Sequence, residues 1–146
     1  MSTNGVLLGD RVTLGDFCWI QGTSYLSDPG DSLVIHSNVY IGPYAVIGFH
    51  GRVEIGSNTA IGANLQLSAQ SHDIDAVEDI AQKTVPSRGI VIGSECWIGN
   101  GVKILDGVEV GDNVVIGAGA VVNKSIPCGA IAVGIPARVV KRRNLV

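Results

Sequence analysis

Aromatic residues are scarce in this 146-residue chain: they make up 5% of it, whereas hydrophobic residues make up 46%. A core built from such a sequence is aliphatic and thin, because the bulky rings that fill a wide core are missing. The 20 glycines add many positions at which the chain can turn tightly. This composition favours a narrow, frequently turning structure, and the length favours one domain over residues 1–146.

Long apolar runs and an excess of positive charge are also missing. No apolar stretch approaches the ~18 residues that a membrane span needs. The opening residues, MSTNGVLLGDRV, lack the basic region and following apolar run of a signal peptide. The formal net charge of -3 does not fit a nucleic-acid-binding surface. We therefore expect a soluble cytoplasmic protein with no membrane span and no nucleic-acid partner.

A six-residue period dominates the stretch from 91 to 122. Aliphatic residues recur at every sixth position: Ile92, Ile98, Ile104, Val110, Ile116 and Val122. Since strand side chains alternate between faces, each of these and the residue two before it point inward. Glycine or asparagine then turns the chain, because both tolerate the left-handed conformation. Three short strands and three corners close a triangular coil, and stacked coils form a β-helix.

The same period extends to most of the chain, starting at Leu8. Cys18 and Cys96 fall on its inward positions, which predicts buried thiols in preference to a redox or metal role. The last segment, about 127–146, departs from the period, and its prolines Pro127 and Pro136 limit strand pairing. It forms a short C-terminal tail with a basic end.

Three breaks interrupt the count, after Leu26, Ile47 and Leu67. If each break is a loop, all three insertions (about 27–34, 48–54 and 68–91) leave from one corner of the prism. Loops on a rigid scaffold often carry function. The count also predicts one outward row that either a partner subunit covers or the substrate contacts: Trp19, Tyr40, Ala60, Trp97 and Val115.

The longest insertion, a protruding loop at about 68–91, contains His72 followed by Asp73 and Asp75. A loop histidine is either a surface residue or an acid–base group. His50 lies in the second insertion and His36 follows a strand. These three histidines lack the close pair of a zinc site, which argues against a carbonic-anhydrase-like β-helix enzyme. A non-catalytic scaffold is a further alternative.

Residues from about 53 to 138 resemble the hexapeptide-repeat acetyltransferases, which include sugar and serine O-acetyltransferases. The matching segments are IGSNTAIGANLQLSAQSHD, the CWIG step, the GAGAVV run with the following K and IP, and the terminal GIPA. The resemblance implies an all-β, single-stranded left-handed parallel β-helix of hexapeptide repeats. It also implies a homotrimer with active sites between subunits, acetyl-CoA as the donor and no required metal.

The resemblance also implies roles for individual residues. His72 matches the catalytic histidine, a general base for direct transfer of the acetyl group to a hydroxyl. A backbone N–H near Asn100 stabilises the oxyanion. Asp73 and Asp75 either orient His72 or are merely solvated. The donor is expected to contact Trp97, Gly99, Gly117, Ala118 and Lys124, and its 3′-phosphate to meet Arg138, Lys141 and Arg142 unless these form a solvated tail.

The acceptor is less well indicated than the donor. Gly42, Pro43 and Tyr44 stand where sugar-acetylating relatives place Asn-rich contacts, so we expect Tyr44, His50 and Asp28 to shape the acceptor site. The resemblance predicts an O-acetyltransferase acting on a sugar or polysaccharide-precursor hydroxyl. The alternative is N-acetylation of an amino-sugar nucleotide on the same scaffold.

Overall fold

The computed structural model describes residues 5–22 and 32–145, and within those ranges it contains β-strands and no helix. The strands are numbered in chain order. Sheet A comprises β1 (Gly5–Leu8), β4 (Ser32–Ile35), β7 (Arg52–Ile55), β12 (Ile90–Ile92) and β15 (Glu109–Val110). Sheet B comprises β2 (Thr13–Leu14), β5 (Tyr40–Ile41), β8 (Ala60–Ile61), β13 (Trp97–Ile98), β16 (Val115–Ile116), β18 (Ala130–Gly134) and β19 (Ala137–Arg142). Sheet C comprises β3 (Trp19–Gly22), β6 (Val46–Phe49), β9 (Gln66–Ser68), β14 (Lys103–Leu105) and β17 (Val121–Val122), while β10 (Ser71–His72) and β11 (Thr84–Val85) form a separate hairpin.

Each coil passes through sheets A, B and C in turn, so the three sheets enclose a triangular prism. We call its corners the A–B, B–C and C–A edges. Pairing between coils is parallel and keeps the six-residue phase: Ile41 lies beside Leu14 and Ile61, and Ile61 lies beside Ile98. The predicted β-helix of hexapeptide repeats is therefore confirmed.

Backbone hydrogen bonds at the corners join each coil to the next. The Gly42 N–H donates to the Ile61 carbonyl at 2.9 Å, and the Gly99 N–H donates to the Ile116 carbonyl at 2.9 Å. Left-handed asparagines complete the turns: Asn38, Asn58, Asn64 and Asn113 have φ between 57° and 60°. The predicted turn role of asparagine is thus confirmed.

The core is a column of aliphatic side chains inside the prism. Ile98 is completely buried, whereas Trp97 beside it in the same two-residue strand is 63% exposed. This alternation follows from the opposite directions of successive strand side chains. Cys96 is buried, as predicted, and its burial raises the pKa of the thiol. Cys18 is partly buried and packs against the core.

The predicted outward row is wrong in one member. Trp19 lies in sheet C beside Val46, whereas Tyr40, Ala60, Trp97 and Val115 form a row in sheet B. The six-residue period places the end of a strand at Leu26, but that residue lies outside the described ranges. Because Ile20 pairs with Ile47, the first break follows β3, and every earlier strand shifts by one face.

The insertions need a second correction. All three connections do run from sheet C to sheet A, as the shared corner predicted. Residues 48–54, however, belong almost entirely to β6 and β7, with only His50 and Gly51 between the two strands. The longest connection is 69–89, and it contains the β10–β11 hairpin that the sequence did not predict.

The C-terminal tail also differs from expectation. Strands β18 and β19 pair antiparallel and extend sheet B beyond β16. Both prolines lie outside these strands, so neither removes a hydrogen bond from the pairing. The tail therefore continues the face that carries Trp97.

The first coil is open at the N-terminal end of the described stack. Val6 and Leu8 occupy inward positions opposite Leu33 and Ile35, yet they are 45% and 54% exposed. They are exposed because no described coil lies beyond them, in contrast to the sealed coils that follow. Among the described residues there is also no helix long and apolar enough to cross a membrane.

We predict that Ile104→Ala lowers the free energy of unfolding by about 2–5 kcal/mol, because it leaves a cavity in the column. Ile104 is fully buried between Leu67 and Val122 in sheet C. Urea denaturation measures the change. The control is Lys103→Ala, whose exposed side chain points outward and whose loss should change stability by only about 0.5 kcal/mol or less. Equal effects of the two substitutions would contradict the inward register.

Candidate active site

His72 stands on a hairpin that leaves the C–A edge between β9 and β12. It lies opposite Thr84 in the antiparallel pair of β10 and β11, and the next residue, Asp73, donates its N–H to the Lys83 carbonyl at 2.8 Å. The two strands hold the backbone of the histidine, while its side chain is exposed. The predicted base is therefore accessible to a substrate.

One hydrogen bond defines the protonation pattern of His72. Its Nδ1 lies 2.9 Å from the carbonyl oxygen of Ile80. A carbonyl can only accept, so Nδ1 carries the hydrogen and the neutral ring has its lone pair on Nε2. The hairpin thus presents Nε2 as a proton acceptor.

The group that orients His72 is a backbone carbonyl and neither of the two aspartates considered for that role. Asp73 instead accepts a hydrogen bond from the N–H of Asp75 at 3.1 Å, which closes a local turn. No described contact joins the Asp75 carboxylate to His72. A carbonyl has no fixed sequence pattern, so the residues alone could not reveal Ile80.

Asp106 anchors the C-terminal root of the hairpin to the prism. Its carboxylate accepts hydrogen bonds from the Ser87 hydroxyl at 2.8 Å, the Arg88 N–H at 3.0 Å and the Gly89 N–H at 2.9 Å. Asp106 belongs to the following coil, just after β14. The sequence does not reveal this contact, because Asp106 lies 17 to 19 residues from its partners, or about three hexapeptide repeats.

A groove of about 280 Å³ runs along the B–C edge, away from the hairpin. It brings together five predicted site residues, namely Trp97, Gly99, Asn100, Gly117 and Ala118, with Gly62, Val115 and Ile116. His72 is not among its lining residues, because the hairpin leaves from the C–A edge. A single chain therefore carries the predicted base and the predicted donor groove on different edges.

Two backbone donors in the groove are left without partners inside the described ranges. In the coil before, the Ala63 N–H donates to the Asn100 side-chain oxygen at 2.9 Å. Ala118, stacked on Asn100, has no side-chain oxygen to accept the Asn100 N–H in the same way. The N–H groups of Asn100 and Ala118 make no described hydrogen bond, so both can donate to an oxyanion or a carbonyl.

Gly99 is needed for the fold, in addition to the donor contact that the resemblance implies for it. A Cβ at this position would lie 2.6 Å from the backbone nitrogen of Ala118, which real contacts do not allow. The glycine is therefore required for stacking of the coils. At Gly119, by contrast, a Cβ would meet nothing within 4 Å, although its φ of 73° favours glycine.

The predicted phosphate-binding residues divide between two edges. Lys141 extends the row of Trp97, Val115 and Ile131 on the outer face of sheet B. Arg138 pairs with Val133, whose side chain approaches Gly117 at the end of the groove. Lys124, however, follows β17 at the C–A edge, on the side of the His72 hairpin.

The predicted acceptor residues are not brought together within one chain. Tyr44 lies at the B–C edge, whereas His50 lies at the C–A edge between β6 and β7. The His50 Nδ1 is buried and has no hydrogen-bond partner among the described residues. Asp28 lies outside the described ranges.

Tyr44 stacks on a residue that the sequence analysis did not single out. The rings of Phe17 and Tyr44 lie 5.5 Å apart, and their φ angles are 59° and 61°. A left-handed conformation costs an ordinary residue roughly 1–2 kcal/mol, whereas glycine and asparagine adopt it readily. One signal in the sequence could have indicated this pair. It is the presence of an aromatic residue at a corner position that asparagine usually fills.

The remaining histidine, His36, is engaged elsewhere. Its Nε2–H donates to Glu54 at 2.8 Å, and Arg52 pairs with the same carboxylate. The hydrogen bonds from His36 and Arg52 hold the pKa of Glu54 below its usual value. No group of three His, Cys, Asp or Glu side chains suited to a metal occurs within residues 5–22 and 32–145.

Comparisons with known proteins define the class. Residues 89–124 match the model for bacterial transferase hexapeptide repeats. The crystal structure of a maltose O-acetyltransferase from Clostridium difficile is 30% identical, with a TM-score of 0.82, over 94% of this chain and 70% of that one. The fold is therefore the left-handed parallel β-helix of hexapeptide-repeat transferases, and the chain belongs to the hexapeptide-repeat acetyltransferase family.

Two further relatives extend this comparison. The galactoside O-acetyltransferase of Escherichia coli K12 is 37% identical over 132 residues, which are 90% of this chain and 64% of that protein. A hexapeptide-repeat acetyltransferase from Vibrio cholerae, solved with acetyl coenzyme A, is 27% identical with a TM-score of 0.79, over 95% of this chain and 71% of that one. The chain thus spans under two thirds of the galactoside enzyme's length.

We predict that Asp106→Ala loosens the His72 hairpin without unfolding the prism, because three hydrogen bonds at its root are lost. Amide hydrogen exchange in residues 71–85 should accelerate about tenfold or more, in line with about 1–3 kcal/mol for groups left without a partner. Asp75→Ala is the control, since its carboxylate makes no described contact. Unchanged exchange in the Asp106 variant would contradict the anchor.

Proposed function

We propose that the chain is an acetyl-CoA-dependent O-acetyltransferase that acts on a sugar or polysaccharide-precursor hydroxyl. The observation that carries the proposal is the hydrogen bond from His72 Nδ1 to the Ile80 carbonyl, which leaves Nε2 as a free base. Such a base suits the removal of a proton from a hydroxyl as its oxygen attacks. The names of the maltose and galactoside relatives support sugar acceptors.

The donor groove at the B–C edge fits an extended thiol ester arm. Its volume is about 280 Å³, it is lined by Trp97 and small residues, and the N–H groups of Asn100 and Ala118 have no described partner within it. Trp97 and Gly117 would flank the arm, and Arg138 and Lys141 would meet phosphates beyond the end of the groove. Acetyl-CoA, when bound, supplies an activated acetyl thioester.

The proposed transfer is direct. The acceptor oxygen attacks the acetyl carbon while His72 Nε2 takes the hydroxyl proton. The N–H groups of Asn100 and Ala118 donate to the oxygen that becomes negative. Collapse breaks the carbon–sulfur bond, and the proton held by His72 passes to the leaving thiolate. No covalent bond to the protein forms.

The working assembly we propose is a homotrimer with sites between subunits. His72 and Lys124 belong to the C–A edge, whereas the donor groove, Arg138 and Lys141 belong to the B–C edge and the adjoining end of sheet B. A head-to-tail ring sets one edge of each subunit against the other edge of its neighbour. Such a ring forms three identical sites, each with His72 from one subunit and the donor groove from its neighbour. The separation of these two parts within one chain supports this arrangement.

We predict that His72→Ala lowers kcat by about 100- to 10,000-fold, the usual contribution of a general base. The Kd for acetyl-CoA should stay the same, because His72 does not line the donor groove. The rate of CoA release measures the transfer. Comparing acceptors that offer only hydroxyl groups with amino sugars distinguishes O-acetylation from N-acetylation. His36→Ala, which changes a histidine at the A–B edge, is the control. If His72→Ala retains full activity on the best acceptor, His72 is not the base.

Mixing two inactive variants tests the shared site. Ala118→Trp blocks the donor groove but keeps His72, while His72→Ala keeps the groove. After random exchange in an equimolar mixture, about one site in four combines an intact base with an intact groove, which is one site in each mixed trimer, and activity should return to that extent. A mixture of His72→Ala with His72→Gln is the control and should stay inactive. Absence of recovery in verified mixed trimers would contradict a site between subunits.

A further inference from the structure

Two aromatic rings stack in the open at the B–C edge of the first two coils. Phe17 and Tyr44 have their ring centroids 5.5 Å apart and their planes 12° apart. They are 78% and 54% exposed, so most of their apolar surface remains in water. We call this pair the aromatic platform. Apolar area that folding of one chain does not bury is available to a ligand or to a neighbouring subunit.

The backbone at the platform is in a conformation that neither ring favours. Further along the same edge the equivalent position is occupied by Asn64, Gly101 and Gly119, which adopt positive φ readily. Bulky side chains in this conformation concentrate at ligand sites. Asparagine or glycine would suit the corner better, so two exposed rings stacked at these positions point to a role beyond the turn itself.

The platform and the donor groove share one edge. Tyr44 belongs to the second coil and Asn100 to the fourth, two strand spacings or about 10 Å apart along the prism, and Phe17 lies about 5 Å further. A sugar ring stacked on the platform therefore cannot bring its own hydroxyl to the Asn100 N–H. The next ring of a longer glycan can reach that position.

We propose that the aromatic platform binds the apolar face of one pyranose ring of an oligosaccharide acceptor, and that an adjoining sugar unit carries the hydroxyl to be acetylated. The C–H groups on one face of a pyranose form a flat apolar surface that matches an aromatic ring. The inference rests on the proposed function and narrows its acceptor to glycans of at least two units.

The test compares a methyl glycoside, a disaccharide and a trisaccharide of the same sugar, in gluco and galacto series. The variant is Phe17→Asn/Tyr44→Asn, which removes both rings and suits the left-handed backbone. It should raise KM for the disaccharide and trisaccharide about tenfold, as expected for two lost stacking contacts. KM for acetyl-CoA should not change, kcat/KM for the methyl glycoside should fall less than kcat/KM for the longer acceptors, and Tm should not fall.

Arg11→Asn is the matched control, because it changes the same left-handed position of the first coil at the A–B edge. Its KM values should equal those of the unmodified protein. Phe17→Tyr/Tyr44→Phe keeps both rings and should retain the preference for long acceptors.

The platform would be overturned if the Phe17→Asn/Tyr44→Asn variant had the same KM values for the disaccharide and trisaccharide as the unmodified protein. Dissociation of the assembly in that variant would also overturn it, by assigning the rings to a subunit contact.

Binding separates the two proposals. Saturation-transfer NMR with the trisaccharide and CoA reports contact with the protein without any transfer of acetyl groups. If the protein acetylates no acceptor, but its contact with the trisaccharide is lost in Phe17→Asn/Tyr44→Asn, the platform is supported and the proposed function is overturned. If the protein acetylates saccharides, but the variant keeps the same contacts and KM values, the proposed function is supported and the platform is overturned.

Discussion

The hydrogen bond from a corner glycine to the carbonyl of the next coil is the constraint on which the molecule depends. Gly42 and Gly99 both make it, and it requires neighbouring coils to remain in phase. Phase in turn aligns the aliphatic residues into one column, because a one-residue slip would turn every inward side chain outward. A thin, almost wholly aliphatic core, with Phe49 as its buried aromatic residue among the described ranges, is sufficient because the coils on either side seal each coil.

This regular stack leaves the edges as the places where the candidate site residues lie. Sheet interiors must repeat, but a corner can accept an insertion or an unusual residue without disturbing the pairing. The C–A edge accommodates the His72 hairpin, with Asp106 of the following coil holding its root. The B–C edge carries the groove that we propose for the donor, where Ala118 leaves the Asn100 N–H without a partner among the described residues. The candidate site residues thus lie where the repeat is locally incomplete.

The sequence predicted what the period determines and failed where contacts cross coils. Inward residues such as Ile98 and the asparagine turns followed from local alternation and backbone preference. Trp19 was assigned to the wrong face because one break was placed a strand too late. Asp106 and the Ile80 carbonyl escaped notice because their partners are distant in sequence or have no side-chain pattern. The family resemblance named five residues that line one groove, and their role as a donor site stays a prediction. The stacking of Phe17 on Tyr44 required coordinates.

The open first coil gives the prism a direction of melting. In a one-dimensional stack each coil is held by its neighbours, so the first described coil, which has one described neighbour, opens more easily than a coil between two neighbours. Val6 and Leu8, still half in water, gain least from the folded state of that coil. Warming should therefore fray the end that carries Phe17 while the coils around Asn100 and Ala118 remain closed. The B–C edge around Phe17 would therefore lose its folded structure at a lower temperature than the part of the same edge around Asn100.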